Sequence, residues 1–257
     1  MANKVTKDWV KYTEVNNTTY EVVKFGNNDI GKVLIVKDFL KYPDQFSNLV
    51  KDFPFFDNIF SGAMSGHGFT FPKIHTRSHG KFLIDSLSKI FNTSGIHLDL
   101  MSIACMNGGM ETYSYHPHVD LCFSFDLDQD VEGIISGSNN IASNIGLTKD
   151  MKGGTAMWSH RGKCNILEMT KQEVVDFVDA IEIKPNEPLL NWQLLEEDKD
   201  WKIEYLCPLD YNTWIIYPTF QIHAPYLDKK WYVDTDRITS ASFIKVNSEK
   251  LNPLEDF

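Results

Sequence analysis

Two short segments hold residues that could close on one metal ion, Tyr115-His-Pro-His-Val-Asp120 and Thr219-Phe-Gln-Ile-His-Ala-Pro225. In an extended chain successive side chains point to opposite faces, so His118 and Asp120 project to the same side, about 7 Å apart along the strand. His223 is the candidate third ligand. Two imidazoles and one carboxylate on one face of a metal leave the other positions open, a donor set suited to non-haem iron(II). Fourteen residues after His223, Arg237 opens the strand-like run Arg237-Ile-Thr-Ser-Ala-Ser-Phe243. Its guanidinium is a fixed cation whose fork of donors matches a carboxylate. Thr239, two residues on, shares its face. The plain alternative for Arg237 is a surface ion pair with Asp234 or Asp236.

A His-x-acid pair is a weak signal by itself: with 8 His and 35 acidic residues in 257, chance supplies roughly one. The chain has two, His118/Asp120 and His97/Asp99, and position decides between them. Ahead of His118 stands the turn-like, glycine-rich Met106-Asn-Gly-Gly109, and a strongly alternating run follows His118. From Asp120 onward, Asp120, Cys122, Ser124, Asp126 and Asp128 fall on one face, and Leu121, Phe123, Phe125 and Leu127 on the other, the period of a half-buried strand. Nothing comparable surrounds His97, which with Asp99 is expected to cap or pair locally. His116 would share the face of His118 and over-fill the site, so a supporting role behind the ligands suits it better.

The order of His-x-Asp, a distant His, and an Arg ten to fifteen residues later resembles the iron(II)- and 2-oxoglutarate-dependent dioxygenases. The likeness is strongest to their prolyl-hydroxylase-like branch, including small oxygenases carried by bacterial viruses, and spans roughly residues 100 to 245 through three short motifs. Lys152-Gly-Gly-Thr-Ala-Met-Trp158 is similar to the Gly-Gly-x-x-x-aromatic strand many of these enzymes carry between the two halves of the triad. The resemblance implies a mainly β fold with flanking helices, the double-stranded β-helix or cupin-like jelly roll. It implies Fe(II), 2-oxoglutarate and O2 as cofactor and cosubstrates, and a hydroxylase acting on a small molecule or peptide. His118, Asp120 and His223 would hold the metal, while Arg237, Thr239 and Tyr115 would contact the cosubstrate. One departure from the family is that Cys105-Met-Asn-Gly108 stands where prolyl hydroxylases often carry Tyr-x-x-Gly; Tyr113 or Tyr115 is the substitute this sequence offers. Asp120 speaks against the halogenases of the superfamily, in which a small residue replaces the carboxylate. Two rival readings are a non-catalytic jelly-roll binding protein and a cupin-type metalloenzyme that does not use 2-oxoglutarate.

Composition fits one large core: 257 residues, 42% hydrophobic and 13% aromatic, are expected to form a single domain over 1–257. A net charge of −10 argues against general nucleic-acid binding. The cysteines Cys105, Cys122, Cys164 and Cys207 have neither a zinc spacing nor a disulfide framework, and the opening residues have no apolar signal core. A cytoplasmic protein is therefore expected. No apolar run is long enough for a membrane span. Nothing in the chain speaks to oligomeric state.

The positioning elements follow in order. Residues 1–97 should supply early strands and bracing helices. Tyr20–Phe25 alternates, Val33–Val36 is a β-favouring run, and Pro43 starts a helix whose stripe is Phe46, Leu49, Val50 and Phe53. A second helix over 80–91 carries Phe82, Leu83, Leu87, Ile90 and Phe91, and His67, His75 and His79 fall in a polar loop between the two helices. The jelly-roll core should span 98–246, starting with a strand at Leu98–Met106. Residues 136–150 read as a turn-rich connection. Trp158 could line the site mouth or pack in the core. Residues 159–202 read as an insertion holding a helix capped by Thr170 with Glu173, and long insertions near such sites tend to be lids or substrate loops. Strands at Trp201–Leu206, Asn212–Pro218 and Arg237–Val246, with Trp231–Val233, close the fold.

Overall fold

The apolar run Val33–Val36 sets the layering, because a strand this apolar must be covered on both faces. In the computed structural model, Gly31–Val36 is buried at every position. The structure describes residues 2–52, 56–57, 67–70, 77–106, 114–115, 117–120, 140–181, 192–193, 196–228, 231–232, 234–248, 250 and 252–257. The glycine turn at 107–109, the alternating run after Asp120, Phe53, His75, Tyr113, His116 and Cys122 lie outside them.

The chain begins with helix α1 (Ala2–Tyr12), then strands β1 (Glu21–Phe25) and β2 (Gly31–Val36), helix α2 (Pro43–Lys51), short strands β3 (Phe56–Asp57) and β4 (His67–Thr70), helix α3 (Lys81–Ile90) and the long strand β5 (Ile96–Met106). After it come β6 (Ser114–Tyr115), β7 (Ile141–Gly146), β8 (Gly154–His160), helix α4 (Lys171–Ile181), β9 (Trp192–Gln193), β10 (Trp201–Pro208), β11 (Trp214–Pro218), β12 (His223–Tyr226) and β13 (Arg237–Val246). Eight strands form an antiparallel major sheet in the order β1-β2-β11-β7-β13-β5-β4-β3, and β10-β8-β12 form an antiparallel minor sheet. β6 and β9 pair in parallel. The fold is thus mainly β with few helices, as the resemblance implied.

Period-2 alternation splits each major-sheet strand between two cores. Leu34, Val36, Ile145, Trp214, Ile216, Ile238 and Ile244 pack beneath the helices, against Trp9, Phe46, Val50, Phe82, Leu83 and Leu87. Their alternates Val33, Ile35, Ala142, Ile215 and Tyr217 face the minor sheet, where Met157 and Cys207 meet them. A third cluster lies on the other side of the minor sheet, where Val174 and Phe177 of α4 cover Ala156, Trp158, Trp201, Phe220 and Ile222. Trp158, fully buried in that cluster, packs in the core and does not line a mouth. No helix among the described residues is long and apolar enough to cross a membrane.

Three expectations need correction. Residues 141–146 are not a turn-rich connection but the strand β7, paired with both β11 and β13. Its Ser and Asn residues read as turn formers, yet here they are satisfied across the sheet: Ser143 Oγ lies 3.1 Å from Ser242 Oγ, and Asn144 Nδ2 donates to Tyr217 Oη at 3.1 Å. His67 stands on β4, hydrogen-bonded as a strand beside β5, rather than in a loop. The N-terminal residues 2–12 form a helix that the polar composition hid; Trp9, 2% exposed with its indole N–H donating to His79 O, anchors it, with the partly buried Tyr12 packed against the same core.

The helix expected after Thr170 is α4, and its cap is the expected one: Glu173 N–H donates to Thr170 Oγ1 and Thr170 N–H to Glu173 Oε2. The helix covers the back of the minor sheet, so this part of 159–202 is no lid. His160 is buried beneath it, its ring centroid 4.6 Å from that of Trp201 and 5.9 Å from that of Phe177. Burial chiefly, then Arg161, hold the imidazole below its ordinary 6.5, against the opposing pull of Asp200, Asp176 and Asp198. The stability contributed by neutral His160 is therefore fully present above pH about 6.5 and is lost as pH falls through its lowered value. The thermal midpoint should drop between pH 7 and pH 5 more steeply in the native chain than in His160→Phe. Parallel pH profiles of the two would show that His160 does not titrate in this way.

Candidate metal centre

His118, Val119 and Asp120 run beside β12 without joining a continuous ladder. His118 and His223 exchange both backbone hydrogen bonds at 2.9 Å, and Asp120 N–H donates to Thr219 O at 2.8 Å. That pairing sets the two segments side by side, and the period of two turns His118, Asp120 and His223 to a common face. One ligand atom from each lies within 4.8 Å of the others, the only such His, Cys, Asp and Glu group of three among the described residues. His118 Nε2 stands 3.6 Å from Asp120 Oδ1, and His223 Nε2 3.1 Å from Asp120 Oδ2. Metal bonds of about 2 Å at right angles place neighbouring donor atoms about 3 Å apart, so the spacing fits a facial triad.

The ring of His223 is held for this task. Its Nδ1 lies 2.9 Å from Gln221 O, a contact that holds the ring with Nε2 turned toward Asp120, where it would meet a metal. Gln221 is itself tied down, with Nε2 donating to Cys164 O at 2.7 Å. Asp120 is deeply buried, which alone would push its carboxyl up; the charges and hydrogen bonds of His223 and His118 win and hold it well below the usual carboxylate range. The carboxylate is thus ionised, the form in which it can ligate.

Arg237 is 3% exposed and Thr239 also 3%, which rules out an exposed surface ion pair for Arg237. β13 pairs Arg237 with Met106, and Thr239 with Ala104 on one side and Gly146 on the other. Between this strand and the triad sits Tyr217. Its ring centroid is 4.6 Å from that of His223 and its hydroxyl accepts from Asn144. Burial chiefly, then Asp120 and Cys207, raise the phenol well above its ordinary value, while Asn144 and Arg237 oppose them. Tyr217 therefore feels both the candidate ligand and the buried cation, and it is neutral at any working pH. A guanidinium, two hydroxyls and a carboxamide on one interior wall are a donor set that fits a dicarboxylate.

Sequence reasoning missed Tyr217, Asn144 and Gln221. Tyr217 is the one residue with a hydroxyl in the run Trp214–Tyr217, six residues before His223, and that was its available signal. Asn144 was masked by turn-like neighbours. Tyr115 lies on β6 opposite Gln193, and its side chain is outside the described residues. His97 and Asp99 are exposed on β5, away from the triad.

No protein-family model matches the chain, and no curated protein matches it in sequence. Solved structures do match it. HygX from Streptomyces hygroscopicus, with nickel and 2-oxoglutarate bound, has a TM-score of 0.52 at 9% identity over 84% of this chain and 84% of its own. A prolyl hydroxylase from Trichoplax adhaerens, in complex with a hypoxia inducible factor peptide fragment, gives 0.46 at 10% identity over 100% and 96%. A prolyl-4-hydroxylase from Pseudomonas putida gives 0.43 at 6% identity over 85% and 94%. At these identities the likeness is one of fold: this chain has the jelly-roll architecture of the iron(II)/2-oxoglutarate oxygenases.

Proposed function

We propose that this protein is an iron(II)- and 2-oxoglutarate-dependent dioxygenase, a hydroxylase acting on a small molecule or peptide. The observation that carries the reading is the convergence of His118, Asp120 and His223 on one face, within the fold such enzymes use. Two imidazole ligands and one carboxylate would leave bound iron(II) with net positive charge, which favours a dianionic cosubstrate. When bound, the metal and 2-oxoglutarate together supply the activation of oxygen. The chain's own residues do the placing. Gln221 O holds His223 in register, the imidazoles keep Asp120 ionised, and Arg237 with Thr239 offers a fixed cation and a hydroxyl on the buried face of β13. Tyr217 and Asn144 are further candidates for the cosubstrate wall, and Tyr115 a candidate at the metal end.

A reducing, cytoplasmic location belongs to this reading. It is supported by the buried free thiols of Cys105, Cys164 and Cys207, each pushed up to about 12 chiefly by burial. No nucleic-acid or membrane partner is part of the proposal.

Anaerobic titration of the protein with iron(II) and 2-oxoglutarate tests it. The weak visible charge-transfer band of chelated cosubstrate should grow to one equivalent. Iron binding without the band would favour a cupin-type metalloenzyme, and no iron binding would favour a non-catalytic jelly-roll protein.

A further inference from the structure

Each candidate ligand has chain neighbours that point the opposite way. Val119 lies between His118 and Asp120, Ile222 and Ala224 flank His223, and Phe220 precedes them. All four are buried in one apolar cluster with Trp158, Trp201 and, from α4, Val174 and Phe177. The faces of the two ligand segments are therefore divided: donors inward, apolar side chains backward onto α4. Among the described residues the 118–120 segment has only three backbone hydrogen bonds to the β12 side, so the depth of Val119 in that cluster must help fix where His118 and Asp120 stand. A close-packed layer transmits a change of one side chain to its neighbours.

The helix is well placed to act as a fixed support. Its N-terminus is closed by the Thr170/Glu173 cap. Arg161 ties Asp176 of the helix to Asp200 beside β10, at 3.4 and 3.2 Å. Phe177, next to Asp176, is fully buried and its ring lies 6.0 Å from that of Trp201. We propose that α4 is a buttress for the metal centre, and that Phe177 is a positioning residue which sets metal affinity through the apolar cluster it shares with Val119 and Ile222, without touching the metal. The proposal rests on the metal-centre reading above. It gives α4, the described helix of the 159–202 segment, a role at the back of the site rather than over its mouth.

Cobalt(II) is the probe, because its visible spectrum reports coordination geometry while titration reports affinity. In the full-length protein Phe177→Ala should weaken cobalt binding about tenfold or more and alter the bound spectrum, the scale expected when a support behind a ligand is lost. Phe177→Leu should recover most of the affinity. Val50→Ala, which hollows the separate core under α2, should lower the thermal midpoint and leave both cobalt readouts unchanged. Should Phe177→Ala not fold, Val119→Ala opens the same cluster from the ligand side and carries the same expectation. Native affinity and an unchanged spectrum in the hollowed variant, despite a lower thermal midpoint, would reduce α4 to a simple cover. Failure of the native protein to bind cobalt would instead overturn the metal centre itself, so the two failures are distinguishable.

Discussion

Replacing His223, His118 or Asp120 by alanine is expected to abolish tight iron(II) binding, while Asp99→Ala leaves it at the native level. Each of the three supplies one donor, and a site with three protein ligands has no spare among the described residues. The losses should be unequal in character. His223 is the most constrained, 4% exposed with its ring pinned at Nδ1, so its removal deletes a prepaid orientation as well as a bond. Asp120 supplies the only negative charge, so Asp120→Asn should keep the shape and still lose most of the affinity, through the charge alone. Equilibrium dialysis against iron(II) under anaerobic conditions measures all of these. Equal loss in Asp99→Ala, on an exposed stretch of β5, would mean that the binding pair is the other His-x-Asp.

What made the triad legible was strand geometry, since a spacing of two already places His118 and Asp120 together, and sequence order then singles out His223. The elements that position it were legible where apolar spacing was strong, as at Phe46 and Val50 of α2 or Val33–Val36 of β2. They were illegible where a strand is built from small polar residues. Ser143 and Asn144 carry no apolar alternation, and their burial is tolerable only because Ser242 and Tyr217 satisfy them from strands distant in sequence. The same holds for Gln221, whose use depends on a carbonyl at Cys164 that no local pattern could place beside it. The capped helix α4 was visible in the chain from Thr170 and Glu173, but the sheet face it covers was not, because contact partners such as Val119 and Phe220 lie about fifty residues away on either side.

Arg237→Ala should raise the 2-oxoglutarate requirement roughly a hundredfold or more while iron affinity barely moves. The residue belongs to no metal-ligand set, so it tests the cosubstrate rather than the iron. Its guanidinium is 3% exposed on β13, on the same face as Thr239, and its charge reaches Tyr217 beside His223. If it pairs there with the far carboxylate of 2-oxoglutarate, its loss leaves a desolvated anion unpaired, at about 3 to 5 kcal/mol, and each 1.4 kcal/mol is about tenfold in affinity. Arg237→Lys should recover part of the loss, because it keeps the charge but not the two-pronged geometry. Thr239→Val, which preserves shape and removes one hydroxyl, should cost far less, on the scale of about 1 kcal/mol for a single neutral hydrogen bond. Titrating 2-oxoglutarate into the iron-loaded variants under anaerobic conditions gives the ranking directly. Native affinity in Arg237→Ala would leave the triad as a metal site and remove the main support for 2-oxoglutarate as its partner, moving the balance toward a metalloenzyme that works without it.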